Sequence, residues 1–369
     1  MTDKIKHIAV MLTFLVLTGV ISFFCLTQES TAVSDSERRP LAQMPEYSAD
    51  KLLSGNFFPA FESYTVDQFP LRDTFRNLKA LIHTNLLGRN DNNSYYEYDG
   101  YLGKLDYPLN EDSLSHAIDR MEFIRDTYFS SGNHNIYYSV IPDKNYFLAD
   151  KSGRPSMDYQ NLTEILEKGL SDSMTYIDIW DTLTIEEYYK TDTHWRQDRL
   201  QNVAAVLGNA MGIGDQLSGE YTVRELYPFY GVYSGQSALS SKPESLYYLT
   251  NSVLENCRVY NTETGKVTPI YDLDRFDSQD PYEIFLSGSQ AILTIQNPAN
   301  TSGKRLILFR DSFGSSIAPL LVEAYSEVVL VDIRYVNSAF LGHFLELTGK
   351  EDVLFLYSTL VLNSSSTLK

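Results

Sequence analysis

Apolar and polar positions along this chain follow different periods in different stretches, and the changes of period divide it. Ile8 to Leu26 is a run of nineteen residues without a charge. Wound as a helix it spans about 28 Å, close to the hydrocarbon thickness of a bilayer. Residues 28–50 are polar, carry Pro40 and Pro45, and read as a juxtamembrane linker. From Leu52 to Leu87 apolar residues recur at helical spacing with Gly55, Pro59 and Pro70 as punctuation, which predicts a helical entry region. Tyr95 to Gly103 alternates aromatics around Asp99-Gly100, a hairpin signal.

Beyond the hairpin, helix-period and strand-period segments alternate. Ser113–Tyr128, Tyr159–Leu170 and Gln197–Met211 read as helices, Asn135–Ile141 as a buried strand ended by Pro142, and Tyr176–Trp180 as extended. A loop-rich interval leads to strands at Cys257–Tyr260 and Gln290–Gln296. The ending is clearest: strand 305–309, helix near 314–324, strand 327–331, helix 337–348, strand 352–357. Strands separated by helix-length connections predict an α/β fold with a largely parallel sheet. The expected organisation is a cytoplasmic tip and transmembrane signal anchor over 1–27, a linker and helical entry region over 28–94, and an α/β domain over 95–369.

Charge and cysteine content narrow the setting. Lys4, Lys6 and His7 precede the apolar run, which places the N-terminus inside and the remainder outside the membrane. A secretory signal peptide is the rival reading, but Ser30-Thr31-Ala32 is a poor cleavage site and Phe24 is too bulky before a lipoprotein cysteine. An uncleaved anchor is expected. Removing residues 1–27, with two Lys and one Asp, leaves 28 basic and 47 acidic residues, a formal charge of −19. That excess disfavours nucleic acid as a partner, because such binding neutralises phosphates. Cys257 is the only cysteine beyond the apolar run, so the exported part forms no internal disulfide.

The candidate chemistry lies in two segments, Thr191-Asp192-Thr193-His194-Trp195 and Phe309-Arg310-Asp311-Ser312-Phe313-Gly314. A serine hydroxyl is a weak nucleophile unless a base takes its proton, and an imidazole base needs an acceptor on its other nitrogen. Ser312 is the candidate nucleophile, His194 the base and Asp192 the group that orients it. Ser312 follows a strand and opens a helix, beside unpaired amides and the positive end of the helix dipole. The alternative is an ordinary N-cap at Asp311 or Ser312. Pro319 implies a short, irregular or kinked helix.

Other positions are weaker. Asp192 and His194 are also metal-ligand types, but no third and fourth ligand stand at supporting spacing, so neither metal nor cofactor is expected. Trp195 is expected in the core, with sugar stacking as the second reading. Lys144, after a strand end, is expected on the rim of the site, facing an acidic sugar or pairing near Asp143. Asp332 and Arg334 are expected to form a structural ion pair.

Taken together, Glu37-Arg38-Arg39-Pro40-Leu41, Asp67-Gln68-Phe69-Pro70-Leu71-Arg72, Asp99-Gly100-Tyr101-Leu102, Ile141-Pro142-Asp143-Lys144, Thr191–Trp195, Arg310–Phe313 and Val331-Asp332-Ile333-Arg334-Tyr335 resemble the DHHW family of bacterial exported proteins. More distantly the chain resembles the alginate O-acetylation proteins AlgJ and AlgX. The resemblance implies an SGNH-hydrolase-like α/β/α sandwich and an anchored, extracytoplasmic O-acetyltransferase or acetylesterase acting on a cell-surface polysaccharide. It also implies a membrane-embedded acyl donor protein as partner. The other function class is a non-catalytic surface assembly or carbohydrate-binding protein on the same scaffold. Two departures stand out: Thr193 replaces a histidine of the name-giving motif, and Arg310 stands where the SGNH pattern has glycine. Gly288 and Ser289 fall where related proteins carry Gly-Asn near the oxyanion. Gly288, Ser289, Arg310 and Lys144 are therefore the candidate oxyanion and substrate residues.

Overall fold

The computed structural model describes residues 3–130, 134–217, 219–347 and 351–369. The chain divides into two compact units, one of residues 1–92 with 235–240 and one of the remainder.

In the first unit, α1 (Asp3–Thr27) is long and apolar enough to cross a membrane by length and composition, a test that a signal sequence also passes. Three helices follow: α2 (Ala49–Leu53), α3 (Phe57–Asp67) and α4 (Arg72–Leu81), the last continued by a π-helical turn over Ile82–Leu86. Arg39 grips Asp67 with two hydrogen bonds of 2.6 and 2.9 Å, and Arg72 and Arg76 pair with Glu37. The grip of Arg39 holds the Asp67 carboxyl down at about 2. Its contribution to stability is thus present above the usual carboxylate range and lost as pH falls toward 2.

The second unit begins with a hairpin, β1 (Tyr95–Tyr98) and β2 (Tyr101–Lys104). Asp99 and Gly100 both take positive φ, 51° and 80°, as a two-residue turn matched to strand twist requires. Then come α5 (Glu111–Ile124), β3 (Asn135–Ile141), α6 (Lys144–Ser152), α7 (Tyr159–Leu170), β4 (Thr175–Tyr176) and α8 (Gln201–Ala210). A second hairpin, β5 (Thr222–Phe229) and β6 (Glu244–Thr250), precedes β7 (Arg258–Asn261), β8 (Val267–Thr268) and β9 (Ile292–Gln296). The chain finishes with β10 (Arg305–Arg310), α9 (Gly314–Leu321), β11 (Glu327–Val331) and β12 (Asp352–Ser358).

Eight strands form one sheet in the order β8-β7-β9-β11-β10-β12-β3-β4. From β11 to β4 every pairing is parallel, while β9, β7 and β8 run antiparallel. Alternation along β10 sends Leu306 and Leu308 to the face covered by α8 and α9, and Ile307 and Phe309 to the face covered by α5 and α7. Each buried apolar side chain of this size contributes about 2 kcal/mol. The fold is an α/β/α sandwich with a mostly parallel sheet. Its central strand is β10, and ligands of such sheets gather beyond the carboxyl ends of central strands.

Two expectations change. The segment 337–348 forms a 3-10 helix over Ser338–His343 instead of an α-helix, with Thr348 outside the described residues. Phe340 and Phe344 are exposed there, so the segment buries only a narrow apolar edge. The interval read as loop-rich contains the β5–β6 hairpin, whose first strand is exposed on both faces and carries Pro228, leaving no clean alternation to detect.

Candidate active site

The turn after β10 is built by Asp311. Its Oδ1 accepts the Phe313 amide at 3.0 Å and its Oδ2 accepts the Ser358 amide at 2.8 Å, tying the ends of β10 and β12 together. Asp311 therefore braces the turn ahead of the helix, whose N-cap is Phe313 with no side-chain cap, and the Ser312 hydroxyl is left for another partner. That partner is His194, whose Nε2 lies 2.7 Å from Ser312 Oγ. On the other side of the ring, Nδ1 lies 2.6 Å from Asp192 Oδ1. Oδ1 also accepts the His194 amide at 3.0 Å, and Oδ2 accepts the Val232 amide at 2.7 Å. A carboxylate facing several donors fixes the Nδ1–H tautomer, which turns the Nε2 lone pair toward Ser312. Asp192 is fully buried, His194 nearly so, and Ser312 half-buried at the surface of the site. The structure brings all three together from segments more than a hundred residues apart.

The His194 ring is clamped between aromatics. Tyr282 stacks on it, with centroids 3.8 Å apart and planes within 4°, and Phe313 lies 4.9 Å away at a tilt. Tyr282 donates to Ser316 Oγ at 2.9 Å, so the stacking ring is itself held. Trp195 is in the core, donating through Nε1 to Ser316 Oγ (2.9 Å) and Phe313 O (3.1 Å). Tyr282 was not legible as a site residue, because nothing in its local sequence marks a ring that will meet an imidazole.

The loop carrying Asp192 and His194 is closed by Tyr189 N donating to His194 O at 3.1 Å. Glu244 at the start of β6 accepts Lys190 N, Thr191 N and Thr191 Oγ1 at 2.9, 2.6 and 2.6 Å. Gly231 packs directly on Asp192, where a Cβ would stand 2.3–2.4 Å from its N, Cα and Cβ. Gly231→Ala should therefore displace Asp192 and lower turnover by roughly tenfold to a hundredfold. Activity assays beside a melting curve check this; unchanged turnover in a folded variant would show that the contact is dispensable.

Lys144 is not on the rim. It is buried, donates to Tyr189 O and Lys190 O at 3.0 and 3.2 Å, and lies over the Tyr233 ring at 4.9 Å. The strand end instead buries its first helical turn against the back of the 189–193 loop. Burial pushes the Lys144 ammonium down to about 7 from 10.5, against the opposing pull of Glu244, Asp192 and Asp143. Between those values the unfolded chain holds a proton that the folded chain lacks, so stability rises with pH across the window. The slope from this one group is about 1.4 kcal/mol per pH unit. Denaturation series from pH 7 to 10 should show that slope removed in Lys144→Met; equal slopes would remove Lys144 as the source.

Arg310 is fully buried, with Nη1 3.3 Å from Asp311 O and 3.8 Å from Asp332 Oδ2. Its stem fills the space left by Gly314, where a Cβ would sit 2.6 Å from Arg310 Cβ. An arginine is thus accommodated at this strand end because the next glycine lies four residues later. Arg334 clasps Asp332 at 2.6 and 2.8 Å, the expected ion pair. Gly288 has φ 90° and donates its amide to Phe285 O. Among the described residues no hydrogen bond joins Gly288, Ser289 or Arg310 to the Ser312–His194 pair, and the Ser312 amide donates to no protein group. No group of three or more His, Cys, Asp or Glu side chains among the described residues is placed to hold a metal ion.

Comparison with known proteins adds family and fold. The family model described as DHHW protein matches residues 120–331. A DHHW family protein from Eubacterium siraeum has TM-score 0.58 and 20% identity, covering 75% of this chain and 95% of its own. Bacillus cereus PatB1 with a sulfonyl adduct has TM-score 0.57 and 18% identity, with 73% and 95% covered. The O-acetyltransferase domain of Pseudomonas putida AlgJ has TM-score 0.46 and 11% identity, with 72% and 90% covered. No curated protein matches the chain.

Proposed function

The chain belongs to the DHHW family, and from that premise we propose that it is a membrane-anchored, extracytoplasmic acyl-transfer enzyme working through Ser312, His194 and Asp192. Its acceptor is a cell-surface polysaccharide, with transfer of an acetyl group as the leading reaction and removal of one as the variant. The observation that carries the reading is the continuous relay from Ser312 Oγ through His194 to Asp192, at 2.7 and 2.6 Å.

In this mechanism Ser312 Oγ attacks the carbonyl carbon of an acyl ester while His194 Nε2 takes the hydroxyl proton. The Ser312 amide faces the oxygen that becomes negative, where a fixed donor is worth several kcal/mol. As the intermediate collapses, the bond to the donor alcohol breaks and His194 returns the proton to the departing oxygen. A sugar hydroxyl then loses its proton to His194 and attacks the acyl-serine; the bond from the acyl carbon to Ser312 Oγ breaks, His194 returns the proton to that oxygen, and the sugar leaves as the ester. Water in its place gives hydrolysis, so the relay serves both outcomes. Asp192 stays ionised and holds the imidazolium throughout.

Support for the setting comes from α1 with Lys4 and Lys6 before it, which argues for an anchor with the N-terminus inside. PatB1, a neighbour in fold, is described with a sulfonyl adduct. The rival reading, a non-catalytic carbohydrate-binding or assembly protein, leans on Gly288 and Ser289 forming no hydrogen bond with the Ser312–His194 pair. Detergent-solubilised full-length protein with p-nitrophenyl acetate and an oligosaccharide acceptor separates the two. Acetyl mass gained by the sugar supports the transferase; acetate release alone supports the esterase; neither, with glycan binding retained, supports the rival.

A further inference from the structure

Helix α4 is turned inside out. Its two arginines face protein: Arg72 and Arg76 keep only 17% and 14% of their side chains exposed, pairing with Glu37, and Arg76 also donates to the Gly235 and Gln236 carbonyls. Its apolar side faces outward. Leu71, Phe75, Leu78, Ile82 and Leu86 are all exposed, Leu71 by 72% and Leu86 by 76%. From Phe75 the spacings of three, four and four residues, through α4 and the π-helical turn that continues it, place the last four on one stripe, with Leu71 at the N-cap where it starts. At 1.5 Å per residue that stripe is about 22 Å long. A helix that exposes a continuous apolar stripe while it buries both arginines, with only Asp73 and Lys79 left outside, is not arranged for water.

What covers the stripe follows from where the chain emerges. Thr31 lies four residues past the end of α1, a reach of at most about 14 Å. It is pinned there by Gln68, whose Oε1 accepts the Thr31 amide at 2.9 Å and whose Nε2 donates to the Thr31 carbonyl at 2.9 Å. Gln68 immediately follows α3 and stands three residues before Leu71. The start of the stripe is therefore held close to the point where the anchor leaves the bilayer.

The geometry points to the apolar stripe of α4 as a membrane-docking surface that lies along the outer lipid interface, as amphipathic interfacial helices do. The inference rests on the reading of α1 as an uncleaved anchor. It makes the anchor one of two attachments, with the α3–α4 corner sitting on the lipid surface.

The test uses full-length protein in phosphatidylcholine–phosphatidylglycerol vesicles that carry nitroxides high on the acyl chain. An environment-sensitive fluorophore is placed on native Cys25, which reports the anchor. In a Cys25→Ser background it is placed at Phe75→Cys, Leu78→Cys and, on the flank of the helix away from the stripe, Asn77→Cys. All four sites are exposed, so labelling leaves the core intact. Docking predicts blue-shifted, nitroxide-quenched emission at positions 75 and 78, with less quenching at 77. Quenching at Cys25 with none at 75 and 78 overturns the docking and points to a protein covering, such as a second copy. Equal signals at 75, 77 and 78 overturn the face assignment. An unquenched Cys25 label removes the anchor, and the docking falls with it.

Discussion

Replacing Ser312 with alanine should lower acyl transfer by roughly 10⁴- to 10⁶-fold while leaving the protein folded. The size follows from losing the nucleophile itself. The retained stability follows from the turn: Asp311, not Ser312, holds the Phe313 amide and tethers Ser358, and the Ser315 amide bonds the Ser312 backbone carbonyl, which alanine keeps. Only the hydrogen bond to His194 disappears, at a half-exposed position. The melting midpoint should stay within about 2 °C of the parent. A variant that remains folded and active would show that the hydroxyl is not the attacking group. One that unfolds would show that the turn depends on the hydroxyl in a way the Asp311 contacts do not explain.

Asp192→Asn is the second severe change, and its cause differs. The carboxylate accepts hydrogen bonds from the His194 amide, His194 Nδ1 and the Val232 amide. Asparagine has one acceptor oxygen and an NH₂ that only donates. With the oxygen toward His194, the NH₂ meets the Val232 N–H, donor against donor. With the amide flipped, the NH₂ faces His194, whose ring must then carry its proton on Nε2. In that tautomer the ring cannot take a proton from Ser312. Turnover should fall about 10⁴-fold with the backbone geometry retained. The check is a comparison of kcat with KM: the loss belongs in kcat, because Asp192 touches the base and not the substrate. A loss confined to KM would contradict the assignment.

How far these residues could be foreseen depends on whether their signal is local. Asp192 and His194 share one loop, and Ser312 follows a run of apolar residues, so residue type and spacing alone nominate all three. Strand 135–141 and helix 159–170 are equally local, being bounded by Pro142 and by Asp158, whose side chain accepts the Asn161 amide. The supporting residues are different. Glu244, Gly231 and Tyr282 lie 39 to 88 residues from the loop residues they serve, and only the tertiary fold brings a carboxylate to the Lys190 and Thr191 amides or a ring onto His194. Lys144 shows the converse error. A charged residue after a strand end suggests solvent, yet here two carbonyls and an aromatic face give it a buried place. Arg310 was legible as an oddity but not as a solution, since the matching gap at Gly314 is visible only in three dimensions.

The central claim is that His194, held by Asp192, makes the Ser312 oxygen nucleophilic. Full-length protein treated with a sulfonyl fluoride, digested and mapped by mass spectrometry, tests it most directly. The account predicts one sulfonyl group per chain, carried on Ser312, with the modification rate collapsing in His194→Ala. An unmodified Ser312, or a rate indifferent to the loss of His194, would contradict it.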